Sequence, residues 1–293
     1  MRTLTLLLIL CAAPALAETH PVTMWRIDGA ANSIYLLGSI HLLREQDHPL
    51  PSVIDTAYED AEVVVMELDM DDLDPVYTQA AFNKAGVLRD GRTLQDLMGD
   101  ELYAEAEVAA EVVDIPLDLL AQSEPWLAAM TVELMALYRI GFNPMYGVEM
   151  TMTSRAAADG KPIEGLETVE EQLSFLDGLP LDVQNEMLLQ ALRESASLRE
   201  QIDELIVAWR HGDIETLNNG LLESIARESE LHDVLIVNRN RRWVDAILEW
   251  LDDEQDYLIV VGALHLVGDD GVPALLEERG IGIHQLSEPA AVR

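Results

Sequence analysis

The stretch "LIVVGALH" (258–265) has a near twin at the other end of the chain, "IYLLGSIH" (34–41). Each is an apolar run that stops at Gly-x-x-His. Continuous runs of this kind, without polar alternation, mark strands buried on both faces. The segments downstream of the two runs are matched as well. After His41 come a loop, a Pro-started helical segment (51–61) and a second buried run, "EVVVMELDM" (62–70). After His265 come a loop, the Pro-containing segment "VPALLEERG" and the run "IGIHQL" (281–286). Both therefore read as βαβ units with parallel strands and a right-handed crossover. This internal half-repeat predicts an α/β fold whose central mixed sheet is formed from the N- and C-terminal βαβ units. "MWRID" (24–28) and "SIYLLG" (33–38), on either side of the turn-forming "GAAN", add a β-hairpin.

Between the two units, from about 72 to 251, helical spacing dominates. Examples are "ELYAEAEVAAEVV" (101–113), "PWLAAMTVELMALYRI" (125–140) and "HDVLIVNRNRRWVDAILEWL" (232–251), the last read as one long amphipathic helix. "KPIEGLE" (161–167) is the exception, a short strand ending on a Glu. No low-complexity linker interrupts the chain, so 18–293 is read as a single α/β domain with a helical insertion at about 72–251.

Residues 1–17, "MRTLTLLLILCAAPALA", combine one Arg, an apolar run and Ala15-Leu16-Ala17 as an A-x-A cleavage site. That is a secretory signal peptide, with an apolar run too short to span a bilayer. The expectation is a periplasmic or secreted protein with no stable membrane insertion after the leader is removed. Cys11 is the only cysteine and leaves with the leader, so the mature chain has no disulfide, thiolate ligand or Cys nucleophile. Against 54 acidic residues stand 18 Lys and Arg, a net charge of −36. Such a surface repels nucleic acid and anionic headgroups. It is either a plain solvated surface or one that attracts cations and basic peptides.

Ligand sites in parallel α/β sheets form at the carboxyl ends of the strands, which puts His41 and His265 on one rim. Singly, each also fits an ordinary strand end with a hydrogen-bonded histidine. Together, two imidazoles suit a divalent metal, and a hydrolytic site adds a carboxylate and leaves a position open. Glu67, at the end of "VVVMEL", is the leading carboxylate, as ligand or as base; its plainer reading is a solvated strand end. Glu167, at the end of 161–167, competes for either role, unless it only favours the start of the next helix. Arg239, in "RNRRW", could neutralise those carboxylates or stabilise charge developing on a scissile carbonyl; alternatively it is a surface helix pair. Manganese, cobalt and zinc all suit a mixed N/O site. The acidic "LDMDDLDP" lacks the glycine and the downstream Glu of a calcium loop. There is no G-x-S-x-G, P-loop, G-x-G-x-x-G or H-E-x-x-H.

On "IYLLGSIHLL", "VVVMELD", "SRAAADGKPIEGLETVEEQ", "AWRHGD", "VNRNRRW" and "VVGALHLVGDDGVPALLEERGI", in this order from about 24 to 286, the chain resembles the TraB/GumN family, which is related to the Tiki-type metalloproteases. The resemblance implies metal-dependent peptide hydrolysis, with roles that map onto His41, His265 and Glu67. One departure is Glu149, where the family commonly has Asp. The expected function is an exported metal-dependent hydrolase with a peptide or protein substrate; the competing one is a non-catalytic peptide- or glycan-binding envelope protein on the same fold.

Overall fold

The computed structural model describes residues 19–225 and 229–289; the leader read at 1–17, with Cys11, lies outside them. The sheet strands are β1 (Thr19–Asp28), β2 (Ser33–Ser39), β3 (Val63–Leu68), β4 (Ile163–Glu167), β5 (Tyr257–Gly262) and β6 (Ile283–Pro289). They form one six-stranded sheet in the order β4-β3-β5-β2-β1-β6. The four strands from β4 to β2 are parallel, and β1 runs antiparallel to both β2 and β6. The sheet is thus mixed, because the expected hairpin turns the chain back at its first loop.

The two terminal units are present, with α1 (Ser52–Asp60) between β2 and β3 and α13 (Val272–Glu278) between β5 and β6. They interleave rather than stand side by side. β5 occupies the slot between β3 and β2, while β6 crosses over to pair with β1 at the far edge. The short strand expected at 161–167 is β4, and it joins the central sheet beside β3, so the sheet extends beyond the two terminal units.

The middle helices are α2 (Pro75–Gly86), α3 (Leu94–Met98), α4 (Asp100–Val112), α5 (Pro125–Arg139) and α6 (Val148–Asp159). After β4 come α7 (Val169–Asp177), α8 (Leu181–Ser195), α9 (Leu198–Arg210), α10 (Ile214–Ile225), α11 (Ser229–His232) and α12 (Asn238–Trp250). Local chemistry sets several boundaries. Asp74 caps α2 ahead of Pro75, and Gly160 ends α6 in the left-handed region at φ 69°. Thr168 and Glu171 form a capping box, so β4 passes directly into α7. The stretch 232–251 is not one regular α-helix: Asp233–Val237 is a π-helical turn immediately before α12. Amphipathic spacing alone does not resolve a single wide turn of this kind.

Side chains alternate along the buried strands and supply two cores. Met24, Leu37, Met66 and Val260 face α1, α6 and α9, whereas Trp25, Leu36, Val65 and Ile259 face α12 and α13. A separate cluster joins α3, α4, α5 and α8.

The register also separates the twin motifs. Gly38 lies level with Val261, and it is Ser39 that lies level with Gly262. A shift of one residue reverses the facing of every side chain. Gly38 therefore meets packing, with a built Cβ at 2.6 Å from Thr23 Cγ2 and 3.2 Å from Ala263 Cα. Gly38→Ala is expected to destabilise the fold by about 1–3 kcal/mol through overpacking, read as a lower urea midpoint with an unchanged slope.

Candidate functional site

All four parallel strands deliver a polar group at their carboxyl ends: β2 brings Ser39 and His41, β3 Glu67, β4 Glu167, and β5 Gly262 and His265. Arg239 enters from α12 on one face and Glu149 from α6 on the other. Five residues read from the sequence, His41, Glu67, Glu167, Arg239 and His265, stand in one continuous cluster.

A side chain built on Gly262 maps its centre. The Cβ would lie 3.3 Å from Glu67 Oε1, 3.6 Å from His41 Nε2 and 3.7 Å from His265 Cδ2. The glycine of the second motif thus opens the space on which both histidines and Glu67 converge.

The two histidines occupy opposite environments. His41 lies at the floor of a cleft, its side chain 61% accessible. Its Nδ1–H donates to Glu149 Oε1 at 2.7 Å, and Ser39 Oγ donates to the same oxygen. The charge of Glu149 and this hydrogen bond outweigh desolvation and push His41 up to about 9, so it is an imidazolium at neutral pH. His265 is buried under Trp243, with ring centroids 4.4 Å apart. Its Nδ1–H donates to Asn240 Oδ1 at 2.6 Å, and the Asn240 amide donates to the His265 and Asp270 carbonyls. Burial, aided by Arg239 and His41, drives His265 down to about 3 and keeps it neutral, with its lone pair on Nε2.

Arg239 joins the strand ends. Its Nε donates to Glu167 Oε1 at 3.0 Å, and its Nη2 donates to Glu167 Oε2 at 2.8 Å and to Glu67 Oε2 at 2.7 Å. Nη1 donates to His265 Nε2 at 3.0 Å and to Leu235 O, in the π turn, at 3.2 Å. Its guanidinium carbon lies 4.8 Å from the Trp243 ring centroid. Arg242 adds a donor to Glu167 Oε1 at 2.8 Å, and Gln172, one turn into α7, reaches both carboxylates. Glu167, with a side chain 1% exposed, thus has both oxygens engaged by arginines. Glu67 Oε1 accepts the Gly262 N–H at 2.8 Å. Burial opposes its charge, yet His265, Arg239, His41 and that N–H hold the carboxyl at about 2. An anion this acidic is a ligand or an anchor rather than an effective base near neutral pH.

Among the described residues, no three His, Cys, Asp or Glu side chains stand in ready-made ligating positions. The donors nevertheless suit a divalent cation. Each histidine is anchored through Nδ1 to an acceptor behind it, the arrangement that fixes a metal-binding imidazole with Nε2 forward. Glu67 supplies an ionised oxygen beside them, and the buried Glu149 Oε2 has no hydrogen-bond partner. A cation shared by both rings requires His41 to give up its Nε2 proton and the Arg239 Nη1–H to swing off His265 Nε2.

The cluster opens into a cleft of about 370 Å³, bounded by α5, α7, α8 and the π turn. Sequence reading assigned no role to Asn240, Gln172, Ser39, Glu149 or Glu133. The Ser of Gly-Ser-x-His and the Asn after Arg239 were visible as letters, but each acts across more than a hundred residues or through a turn of irregular pitch. His48, on the loop after His41, bonds the Tyr146 carbonyl instead of joining the cluster.

A family model described as the TraB/PrgY/gumN family matches residues 23–285. "Uncharacterized protein YbaP" of Escherichia coli strain K12 is 24% identical over 242 residues, which cover 83% of this chain and 87% of that protein. The protein of the same name from Shigella flexneri matches to the same extent. No solved structure matches the chain.

Two substitutions probe this geometry. Glu167→Ala strands Arg239 without its bidentate partner and is expected to cost about 3–5 kcal/mol, as for other broken buried pairs, measured by guanidinium unfolding. Glu149→Gln removes the charge behind His41, so its imidazole should titrate back near the ordinary ~6.5 instead of about 9, followed by NMR of the ring protons.

Proposed function

Because the chain belongs to the TraB/PrgY/gumN family, we propose that it is a metal-dependent hydrolase of peptides, working after export in the periplasm or outside the cell. The observation that carries the reading is the convergence of His41 Nε2, Glu67 Oε1 and the His265 ring on the open space at Gly262. The leader read at 1–17 supports export, and no helix among the described residues is long and apolar enough to cross a membrane.

In this proposal His41, His265 and Glu67 hold the cation, of the manganese, cobalt or zinc class. When bound, it supplies a Lewis acid that polarises a carbonyl and acidifies water. The remaining chemistry belongs to the chain. Asn240 fixes the tautomer of His265 and aims Nε2, whereas Glu149 holds the Nδ1–H of His41, so that loss of the Nε2 proton leaves a lone pair facing the cleft. Glu67 stays ionised and hydrogen-bonded to Gly262 N–H, so its position is set before ligand arrives. Arg239, which lines the cleft, presents positive charge to a carbonyl oxygen on which negative charge develops. Glu167 and Arg242 act through it, as positioning residues that keep the guanidinium plane in place.

One feature favours a second reading, a peptide-binding module without turnover: Arg239 Nη1 already engages the His265 lone pair. Elemental analysis of the purified protein, with a peptide-library cleavage assay on wild type, His41→Ala, His265→Ala and Gly262→Ala, separates the two. The hydrolase reading expects bound cation and cleavage in wild type. It expects a loss of at least about 100-fold in the histidine variants and a comparable loss in Gly262→Ala, whose methyl fills the space between the donors. Cation and cleavage retained in both histidine variants would overturn it. Peptide binding without turnover, abolished in the same variants, would establish the module.

A further inference from the structure

Resting on the peptidase reading, we infer that the cleft selects substrates presenting a cationic side chain next to an apolar one, with Glu133 and Glu194 receiving the cation. Glu133 projects from α5 and Glu194 from α8 into the same cleft that has His41, Glu67 and Arg239 at its base. Apolar side chains make up much of the remaining wall, among them Met130, Met187, Phe175 and Leu235. This pair is therefore a wall of the substrate cleft and not an isolated acidic patch.

The pair lacks a counter-charge among the described residues. The neighbouring Arg193 directs its guanidinium to Glu105 and Glu186. Gln190 gives Glu194 a neutral hydrogen bond at 2.8 Å. Glu133 and Glu194 are both exposed at the cleft wall, and the apolar surroundings and the charge of Glu194 raise Glu133 from the ordinary carboxylate value, a direction that an incoming cation would reverse. The cation is organic rather than a hard metal ion, because calcium and magnesium take six or more oxygens. Here the two carboxylates are flanked by thioether and hydrocarbon groups, and no three acidic or histidine side chains among the described residues form a ligand group. A second copy of the chain is a poor occupant, since its own net charge is −36. A lysine or arginine side chain followed by an apolar one meets both the charge and the lining.

The test is fluorescence-polarisation binding of four labelled hexapeptides that differ only at a central pair: Lys-Leu, norleucine-Leu, Glu-Leu and Lys-Ser. Cleavage is followed in parallel on the same samples. Lys-Leu is expected to bind about tenfold more tightly than its neutral isostere. That advantage should vanish in the double variant E133Q/E194Q and pass to Glu-Leu in E133K. Lys-Ser should bind more weakly than Lys-Leu. Equal binding of the lysine and norleucine peptides, or a preference that survives the double variant, would overturn the inference. Cleavage without cationic preference would remove the inference and leave the hydrolase reading standing. Cationic preference without cleavage would do the reverse. Folding of the variants is checked by their melting. An acid whose pKa is raised in the folded state destabilises it once ionised, so E133Q should melt no lower than wild type at pH 8, and the two should agree at pH 4.

Discussion

One guanidinium, that of Arg239, ties together the ends of three strands. A buried charge is costly unless fully partnered. Here the partners come from β3, β4 and the turn after β5, with a fourth contact to the wide turn of its own helix. Removing any one of these elements leaves unpaired charge in the interior. The rim is therefore a cooperative unit: Glu167 is held by both arginines and by Gln172, and Glu67 is charged because Arg239, the two histidines and the Gly262 N–H stand around it. The π turn fits this picture, since an irregular turn frees a carbonyl and re-aims the side chains beyond it.

The two Gly-x-x-His motifs show how far environment overrides sequence. The same tetrapeptide pattern yields an exposed imidazolium in one place and a buried neutral ring in the other. The difference comes from the group behind Nδ1, a carboxylate for His41 and a neutral amide for His265. Groups whose environments drive their protonation apart can take different tasks in one site. The one-residue offset between the strands has the same effect on the glycines, one of which serves packing and the other the open centre.

Much of this was legible in the letters. The unalternating runs at 34–39, 63–66 and 257–262 could only be interior strands, and their carboxyl ends had to share a rim. That logic brings His41, His265 and Glu67 together, and the strand ending at Glu167 adds the other carboxylate. The strand order was not legible, because pairing depends on which apolar edges meet and β5 has equally apolar neighbours to choose from. The role of Asn240 was also hidden, and Glu149 stood out only as a departure from the family pattern, with no role attached. Each acts on its histidine through one hydrogen bond to a ring nitrogen, which leaves no periodicity and no composition signal. The wide turn before α12 escaped because its apolar spacing still fits a regular helix.

The place of β5 in the sheet has a consequence for the order of events in folding. The central strand of the parallel set is the second-last in the chain, and the edge strand β6 closes on β1, the first. Pairings as distant as Ile34 with Tyr257 and Val63 with Tyr257 make up the middle of the sheet, the kind of topology that delays completion. Until β5 and the turn after it are available, β2 and β3 flank a vacant slot, Glu67 lacks the Gly262 N–H and Arg239 lacks His265. The half of the site that carries Gly262 and His265 is thus the last to be supplied, and a polypeptide that ends before β5 lacks the centre on which the other groups converge.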